Sequence, residues 1–192
     1  MEISNKIFKV IKSKGVMRAS ELAPYVSTRT QLRRYVESGQ LITLGSGFYA
    51  HPSLDPFAAS VLAVAIYYPK AVISNLSSLV IHGLSDERID RIDVDIPRTS
   101  SIRNKLIYAH RVPKTHLIGI VRQPFQNHKI RIYTRERALC EAHYLDPEGP
   151  IFLKAIKRYV KSKMVDIDQV SKFDKALRTN VLRSLTQELT NG

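Results

Sequence analysis

The sequence predicts an α+β fold in two parts: a small domain over residues 1–52 and a larger mixed α/β domain over 53–192 with a helical C-terminus. Three observations predict it. Short amphipathic helical patterns and a Gly-rich turn between strand-like runs fill the first fifty residues. Strand-like segments lying between helical segments make up the remainder. Between the two parts, the Pro-containing segment at 51–56 is typical of a loop and marks the predicted boundary.

The small domain is predicted to begin with three helices. Apolar residues at three- and four-residue spacing predict a first helix that ends at Gly15. Ser20 is predicted to cap a short second helix over 21–25, and Ser27 or Thr28 to cap a third over 29–38. Strand-like runs on either side of a Gly-Ser-Gly turn then predict a β-hairpin. Three helices followed by a hairpin is the element order of a winged helix-turn-helix.

The larger domain is predicted to contain strands between helices. Alternation of apolar and polar residues places strands at 92–96, 106–112, 118–122 and 129–133. Helical patterns lie at 57–68, 76–82, 136–145 and 151–163, and two shorter helices are predicted after Asp166. This arrangement makes the domain a mixed α/β unit with a helical C-terminus.

Composition limits the classes of protein that this chain can be. The chain has 30 Lys and Arg against 17 Asp and Glu, a net charge of +13, and its 44% of hydrophobic residues exclude a disordered basic tail. The longest apolar run has eight residues, against about 20 for a membrane span, and the first residues lack the apolar segment of a signal peptide. The single cysteine, Cys140, fits a reducing compartment. We therefore expect a cytoplasmic protein that has a polyanionic partner and no membrane contact.

The positive charge lies in two separate regions. Residues 1–52 have a net charge of +5, residues 53–100 of −2 and residues 101–192 of +10. One basic region would indicate one polyanion site, whereas two indicate either a long contact surface or two different partners.

The third predicted helix has side chains of the types that contact nucleic acid. With about 100° between residues, Leu32 and Val36 fall on one face and are predicted to pack inward, so that Arg34 lies on the outward face. Arginine pairs with guanine and glutamine with adenine, and hydroxyls with free N–H groups at a helix start suit phosphate. The predicted DNA-binding residues are Ser27, Thr28, Arg29, Thr30, Gln31, Arg33, Arg34, Thr43 and Ser46. The alternative is an ordinary solvated helix face.

The predicted hairpin, by contrast, has no positive charge. After Arg34 the next Lys or Arg in the chain is Lys70. Phosphate contacts from the hairpin are therefore expected from the hydroxyls of Thr43 and Ser46 or from the glycine N–H groups.

The helix predicted over 151–163 has a second basic surface, formed by Lys154, Lys157, Arg158 and Lys161. These residues follow the spacing of one helix face, and the helix contains no acidic residue, although solvated helices usually mix charges. Three interpretations stay open: a solvated face, a contact with phosphate, or a contact with an acidic partner protein.

Several segments of the chain resemble one known family. They are 14–22, 33–41 and 45–50 in the small domain, and 73–86, 92–97 and 133–139 in the larger one. Together they are similar to the AbiE-type (type IV) antitoxin family, AbiEi, whose systems act in phage defence. The resemblance implies a bacterial protein that binds inverted repeats in operator DNA through a winged helix and represses its own operon. It also implies that the C-terminal domain counteracts a nucleotidyltransferase toxin encoded next door, without forming a stable complex with it.

Other chemistry finds less support in the sequence. Asp93 and Asp95 are spaced like the metal-binding strand carboxylates of nucleotidyltransferases, but Leu84 after Gly83 departs from the nucleotide-binding turn of those enzymes. We expect instead two carboxylates on a solvated strand face. The histidines show no zinc-ligand spacing, and we expect no metal and no cofactor. The sequence thus predicts a protein that is not an enzyme, and the alternatives are a nucleotidyltransferase that uses Asp93 and Asp95 or an interaction module that binds no DNA.

Overall fold

The protein is a mixed α+β chain with two β-sheets, and the computed structural model describes residues 5–26 and 28–191. The first sheet and its helices are formed by α1 (Asn5–Lys14), β1 (Val16–Arg18), α2 (Ala19–Leu22), α3 (Arg29–Glu37), β2 (Ile42–Gly45) and β3 (Phe48–Ala50). The strand order is β1-β3-β2, with both pairs antiparallel. The predicted hairpin is confirmed, and β1 is a strand that the sequence pattern did not indicate.

The start of α2 differs from the prediction. Ser20 was expected to cap this helix, but it lies inside it, so that prediction is wrong. The reason is that the carboxylate of Glu21 accepts a hydrogen bond from the N–H of Arg18 at 2.9 Å and thereby satisfies the helix start. Glu21 also pairs with Lys14 and accepts a hydrogen bond from the hydroxyl of Tyr67. Partial burial raises the pKa of the Glu21 carboxyl, but the hydrogen bonds from these partners lower it by more, so that the net pKa is about 2.

Helix α3 begins where the sequence predicts. The hydroxyl of Thr28 accepts a hydrogen bond from the N–H of Gln31 at 3.2 Å, and Gly39, just beyond the helix, has a φ of +71°. Leu32 is buried as predicted, but the second inward residue is Tyr35, with Val36 only partly buried.

The second part of the chain continues with α4 (Pro56–Tyr67), β4 (Val72–Ile73), α5 (Asn75–Ile81), β5 (Ile92–Pro97), β6 (Ile107–Val112), β7 (Ile120–Phe125), β8 (His128–Tyr133), α6 (Arg135–Leu145), α7 (Pro150–Lys161), α8 (Ile167–Leu177) and α9 (Val181–Asn191). The strand order of the second sheet is β6-β5-β4-β8-β7. The β5–β6 and β4–β8 pairs are parallel, and the other two are antiparallel. Every helix and strand predicted here is present, and the two-residue β4 is an addition.

The two faces of the second sheet have different partners. Alternate residues of β5, Ile92, Val94 and Ile96, pack in one core cluster with Val61 and Val64 of α4. Because successive side chains of a strand point to opposite faces, the carboxylates of β5 lie on the other face, toward α5 and α6. A second core, built largely from α6 to α9, covers that side.

Helix α4 packs against both sheets. Its residues Ala59, Leu62 and Ala63 form a core cluster with Val16 of β1 and with Phe48 of β3. The rings of Phe48 and Tyr67 lie 5.1 Å apart. The predicted boundary at residue 52 therefore falls between two sheets that share this helix.

None of the helices within the described residues 5–26 and 28–191 is long and apolar enough to cross a membrane.

Candidate nucleic-acid interface

The outward face of α3 is open to solvent. Thr28, Arg29, Thr30, Arg33 and Arg34 are all exposed, and for Thr30 and Arg34 this agrees with the outward position that helical spacing predicts. The predicted residue Ser27 lies outside the described residues. The cap formed by Thr28 leaves other N–H groups of the first turn available to an acceptor such as phosphate.

The polar side chains of α3 differ in how far they are already engaged. Arg33 forms an i,i+4 ion pair with Glu37, with its Nε 2.7 Å from the carboxylate. The amide of Gln31 donates a hydrogen bond to the hydroxyl of Tyr35 at 2.9 Å, which draws it toward the core side of the helix. Arg29 and Arg34 have no ion pair with any residue that the structure describes. These two guanidinium groups are therefore the ones most available to a ligand.

The two predicted hairpin residues, Thr43 and Ser46, lie in surroundings of opposite charge. Thr43 accepts a hydrogen bond from the N–H of Gly45 at 3.2 Å and borders a groove of about 560 Å³. The charged residues that line this groove are Asp55, Glu87, Arg88 and Asp90, so its net charge is negative. A phosphate would be repelled there. Thr43 is consequently the weaker of the two hairpin candidates.

Ser46, at the tip of the turn, borders a different groove. We call it the turn groove; its volume is about 680 Å³, and it is lined by Ser46, Arg91, Ile102, Arg103, Asn104 and Lys105. Its cations come from the second part of the chain and were not among the predicted site residues. The signal in the sequence was only a basic loop before a strand, and nothing local indicated that this loop lies beside the hairpin.

The second basic surface on α7 is partly neutralised within the protein. Lys154 pairs with Glu87, with its Nζ 3.1 Å from the carboxylate, and Arg158 pairs with Asp86. The hydrogen bond from Arg158 lowers the pKa of the Asp86 carboxyl below its ordinary value. The other two members, Lys157 and Lys161, are exposed. Two of the four cations of this predicted surface are thus already paired with acidic residues of the same protein. These residues lie in the loop after α5, and the sequence of α7 alone could not indicate that pairing.

The two carboxylates of β5 do not lie on a solvated strand face, so that expectation is wrong. Asp95 is 1% exposed and accepts a hydrogen bond from the hydroxyl of Tyr133 at 2.7 Å. Asp93 accepts a hydrogen bond from Ser77 at 3.2 Å and from His110 at 3.0 Å. The hydrogen bond to Asp93 raises the pKa of His110, against the effect of burial.

A buried ion pair extends this polar network. Arg137, which is 1% exposed, lies 3.4 Å from the carboxylate of Glu141, donates to the carbonyl of His116 at 3.1 Å and stacks over the ring of Tyr133. Glu141 also accepts the N–H of Asn75 at 2.7 Å. Burial raises the pKa of the Glu141 carboxyl. Because buried charges require such partners, these contacts give the network a structural role.

An apolar cavity of about 300 Å³ adjoins the network. The polar side chains at its wall include Asn75, Asp93 and His110, and most of the remaining lining is aliphatic or aromatic. Small-molecule pockets have this composition. Within residues 5–26 and 28–191, no group of three or more His, Cys, Asp or Glu side chains is placed to hold a metal ion.

The remaining singled-out side chains are structural. The ring of His82, at the end of α5, hydrogen-bonds the carbonyl of Tyr133 at 2.7 Å. Cys140 is buried, as expected for a small apolar residue, and burial raises the pKa of its thiol to about 12.

The sequence matches no protein-family profile and no curated protein. A function is therefore inferred from the residues and contacts described above.

Proposed function

We propose that this protein is a winged-helix DNA-binding repressor that serves as the antitoxin of a type IV toxin–antitoxin pair. It binds inverted repeats in the operator of its own operon through α3 and the β2–β3 hairpin. Its second part counteracts a nucleotidyltransferase toxin. The protein acts in the cytoplasm and is not itself an enzyme.

The arrangement of the first six elements supports a winged helix. Their order is helix, strand, helix, helix and hairpin, and β1 pairs with the returning strand β3. In this class of fold the helix before the hairpin lies in the major groove, and its first residues contact base edges. In this chain that helix is α3, whose first turn carries Arg29 and Thr30.

The observation that carries the proposal is the exposed, unneutralised pair of guanidinium groups on α3. Arg29 and Arg34 lie on a helix capped by Thr28, and no described carboxylate pairs with either of them. Because the chain has 30 Lys and Arg against 17 Asp and Glu, unpaired cations are expected on its surface; what distinguishes Arg29 and Arg34 is that they lie on the helix directly before the hairpin, where Arg33 is already paired with Glu37. The net charge of +13 adds a long-range attraction to DNA.

An electrophoretic mobility shift with the DNA upstream of the protein's own gene tests the DNA-binding half. Arg34→Ala should weaken binding to the operator by about 1–3 kcal/mol and relax specificity at one position if Arg34 contacts a base. If Arg34 contacts only phosphate, binding to all sequences should weaken alike, and the salt slope should fall by about one.

Arg183→Ala is the matched control, because it removes an exposed arginine from α9. It should leave the shift unchanged. The absence of any sequence-selective shift by the wild-type protein at near-physiological salt would contradict DNA recognition and would favour an interaction module.

The antitoxin half has a separate test. Expression of the neighbouring nucleotidyltransferase alone should arrest growth, and co-expression of this protein should restore growth. Arg34→Ala should still restore growth when both genes are transcribed from unrelated promoters, because repression is then bypassed. Failure of the wild-type protein to restore growth would contradict the antitoxin assignment and leave the repressor assignment intact.

The second basic surface is assigned a minor part in this proposal. Any phosphate there must compete with Glu87 and Asp86 for Lys154 and Arg158. Phosphate contact from α7 therefore rests mainly on Lys157 and Lys161. Reversing the charge of all four cations measures this part, and unchanged DNA affinity would exclude it.

A further inference from the structure

The β2–β3 hairpin lies beside cations that it does not itself contain. From residue 35 to residue 69 the chain has no Lys or Arg, yet the hydroxyl of Ser46 borders the turn groove together with Arg91, Arg103 and Lys105. The groove is a shallow depression open to solvent, so that a phosphate group on the surface of a large ligand can reach its cations. No acidic residue lines it.

The three cations of the turn groove are unneutralised. Arg91, Arg103 and Lys105 are exposed, and none of them forms an ion pair with a carboxylate in the described part of the chain. Arg91 lies over the ring of Tyr108, with its guanidinium carbon 5.2 Å from the ring centre. The aromatic ring does not neutralise the positive charge. The guanidinium N–H groups can therefore still donate hydrogen bonds to an anion.

The loop that carries Arg103 and Lys105 is held in place from within. The side chain of Asn104, which lies between them, donates to the hydroxyl of Tyr68 at 3.0 Å and accepts the N–H of Leu106 at 2.9 Å. Tyr68 follows directly on α4, the helix that packs against the hairpin. The basic loop is thus tied to the end of the helix against which Phe48 of the hairpin packs.

The groove on the other strand of the hairpin has the opposite charge. The groove that Thr43 borders is lined by Asp55, Glu87 and Asp90 with one cation, Arg88, whereas the groove that Ser46 borders is lined only by cations and neutral residues. An anion that approaches the hairpin is therefore directed to the Ser46 side. The uncharged hairpin and the basic loop of the second part form one composite surface.

We propose that the turn groove binds backbone phosphate of DNA, with Arg91, Arg103 and Lys105 supplying the charge that the hairpin lacks. This inference rests on the proposed DNA-binding function. It extends the interface beyond α3 to Arg91, just before β5, and to the loop before β6. The contacts are to phosphate and so add affinity and salt dependence without sequence preference.

The test is a mobility-shift titration from 50 to 200 mM salt with two duplexes of equal length, one carrying the protein's own upstream region and one of random sequence. The variant is Arg91→Ala with Arg103→Ala and Lys105→Ala. Three lost phosphate contacts should reduce the slope of log affinity against log salt by about 2.7. Wild-type affinity should consequently fall about 40-fold more than variant affinity over this salt range. The ratio of specific to random-sequence binding should stay the same.

The control removes an equal charge elsewhere, with Lys172→Ala, Lys175→Ala and Arg183→Ala on α8 and α9, and should leave the slope unchanged. A second variant, Arg103→Glu with Lys105→Glu, keeps the Arg91–Tyr108 contact. It should weaken binding to both duplexes more than the triple alanine variant does, and circular dichroism verifies its folding.

The outcomes separate this inference from the proposed function. If the wild type binds the upstream duplex selectively and Arg34→Ala weakens it, while both groove variants retain the wild-type slope, the inference is overturned and DNA recognition stands. If the wild type binds neither duplex, the result contradicts both the inference and the proposed DNA-binding function. A reduced slope that the control triple reproduces would also overturn the inference, because net charge alone would then account for it.

Discussion

Gly15 is the position where the docking of α4 on the N-terminal sheet can be measured. It ends α1 with a φ of +78°, and the Cβ of an alanine there would lie 2.9 Å from Cδ1 of Leu62 on α4. Gly39, which ends α3, has a φ of +71° and no atom within 4 Å of the corresponding point. The two glycines therefore share the backbone conformation and differ in the space around them.

The expected destabilisation follows from this difference. A left-handed conformation costs an alanine about 1–2 kcal/mol, so Gly39→Ala should lower the free energy of unfolding by that amount. Gly15→Ala has the same backbone cost and must also displace the buried Leu62 side chain, which overpacking data place at about 1–3 kcal/mol. We expect a total of about 2–5 kcal/mol for Gly15→Ala.

Urea unfolding followed by circular dichroism measures both variants. In a double-mutant cycle, Leu62→Ala should cost about 2–5 kcal/mol alone, and Gly15→Ala should cost less in its presence because the clash is relieved. Equal destabilisation by Gly15→Ala and Gly39→Ala, with additive behaviour in the cycle, would refute the packing of α4 against the end of α1.

Three further predictions concern charge. The lowered pKa of Glu21 means that its contribution to stability is present above pH 4.5 and is lost as the pH falls toward about 2; Glu21→Gln should flatten the unfolding free energy across this window in denaturant titrations. The raised pKa of His110 means that its contribution is present below pH 6.5 and is lost as the pH rises through the folded pKa; Asp93→Asn should lower the pKa of His110 in an NMR titration, and an unchanged value would exclude the hydrogen bond as the cause. Asp86→Asn with Glu87→Gln should change DNA affinity by less than about fivefold, because exposed ion pairs contribute little free energy, and a larger increase would indicate that α7 contacts DNA.

The local parts of the fold were predictable from sequence, and the pairings between distant segments were not. Helix α3 and the hairpin follow from apolar spacing and from turn glycines, which act within a few residues. Strands β1 and β4, with three and two residues, are too short to show an alternation. Both form because a distant strand supplies their partners: Val16 pairs with Ala50, and Ile73 with Ile132.

In the candidate site too, the features that depend on neighbouring residues could be predicted, and those that depend on distant segments could not. The exposure of Arg34 follows from helix geometry, and the structure confirms it. The burial of Asp95 could not be predicted, because its hydrogen-bond donor Tyr133 is 38 residues away in the chain. The same holds for the cations beside Ser46, since packing between distant segments, with Leu106 and α4 in the cluster around Phe48, brings the basic loop near the hairpin.

If the protein binds DNA as proposed, the sharing of α4 between the two sheets has a consequence for the spacing of its contacts. In many two-domain DNA-binding proteins a flexible linker lets each domain find its own contact, at the expense of the entropy lost when both are immobilised. In this chain the core formed by Phe48, Leu62 and their neighbours fixes the distance from α3 to the turn groove when the protein folds. On the proposed mode of binding, base changes beneath the groove should then be tolerated, whereas a base pair inserted between the site of α3 and the site of the groove should weaken binding.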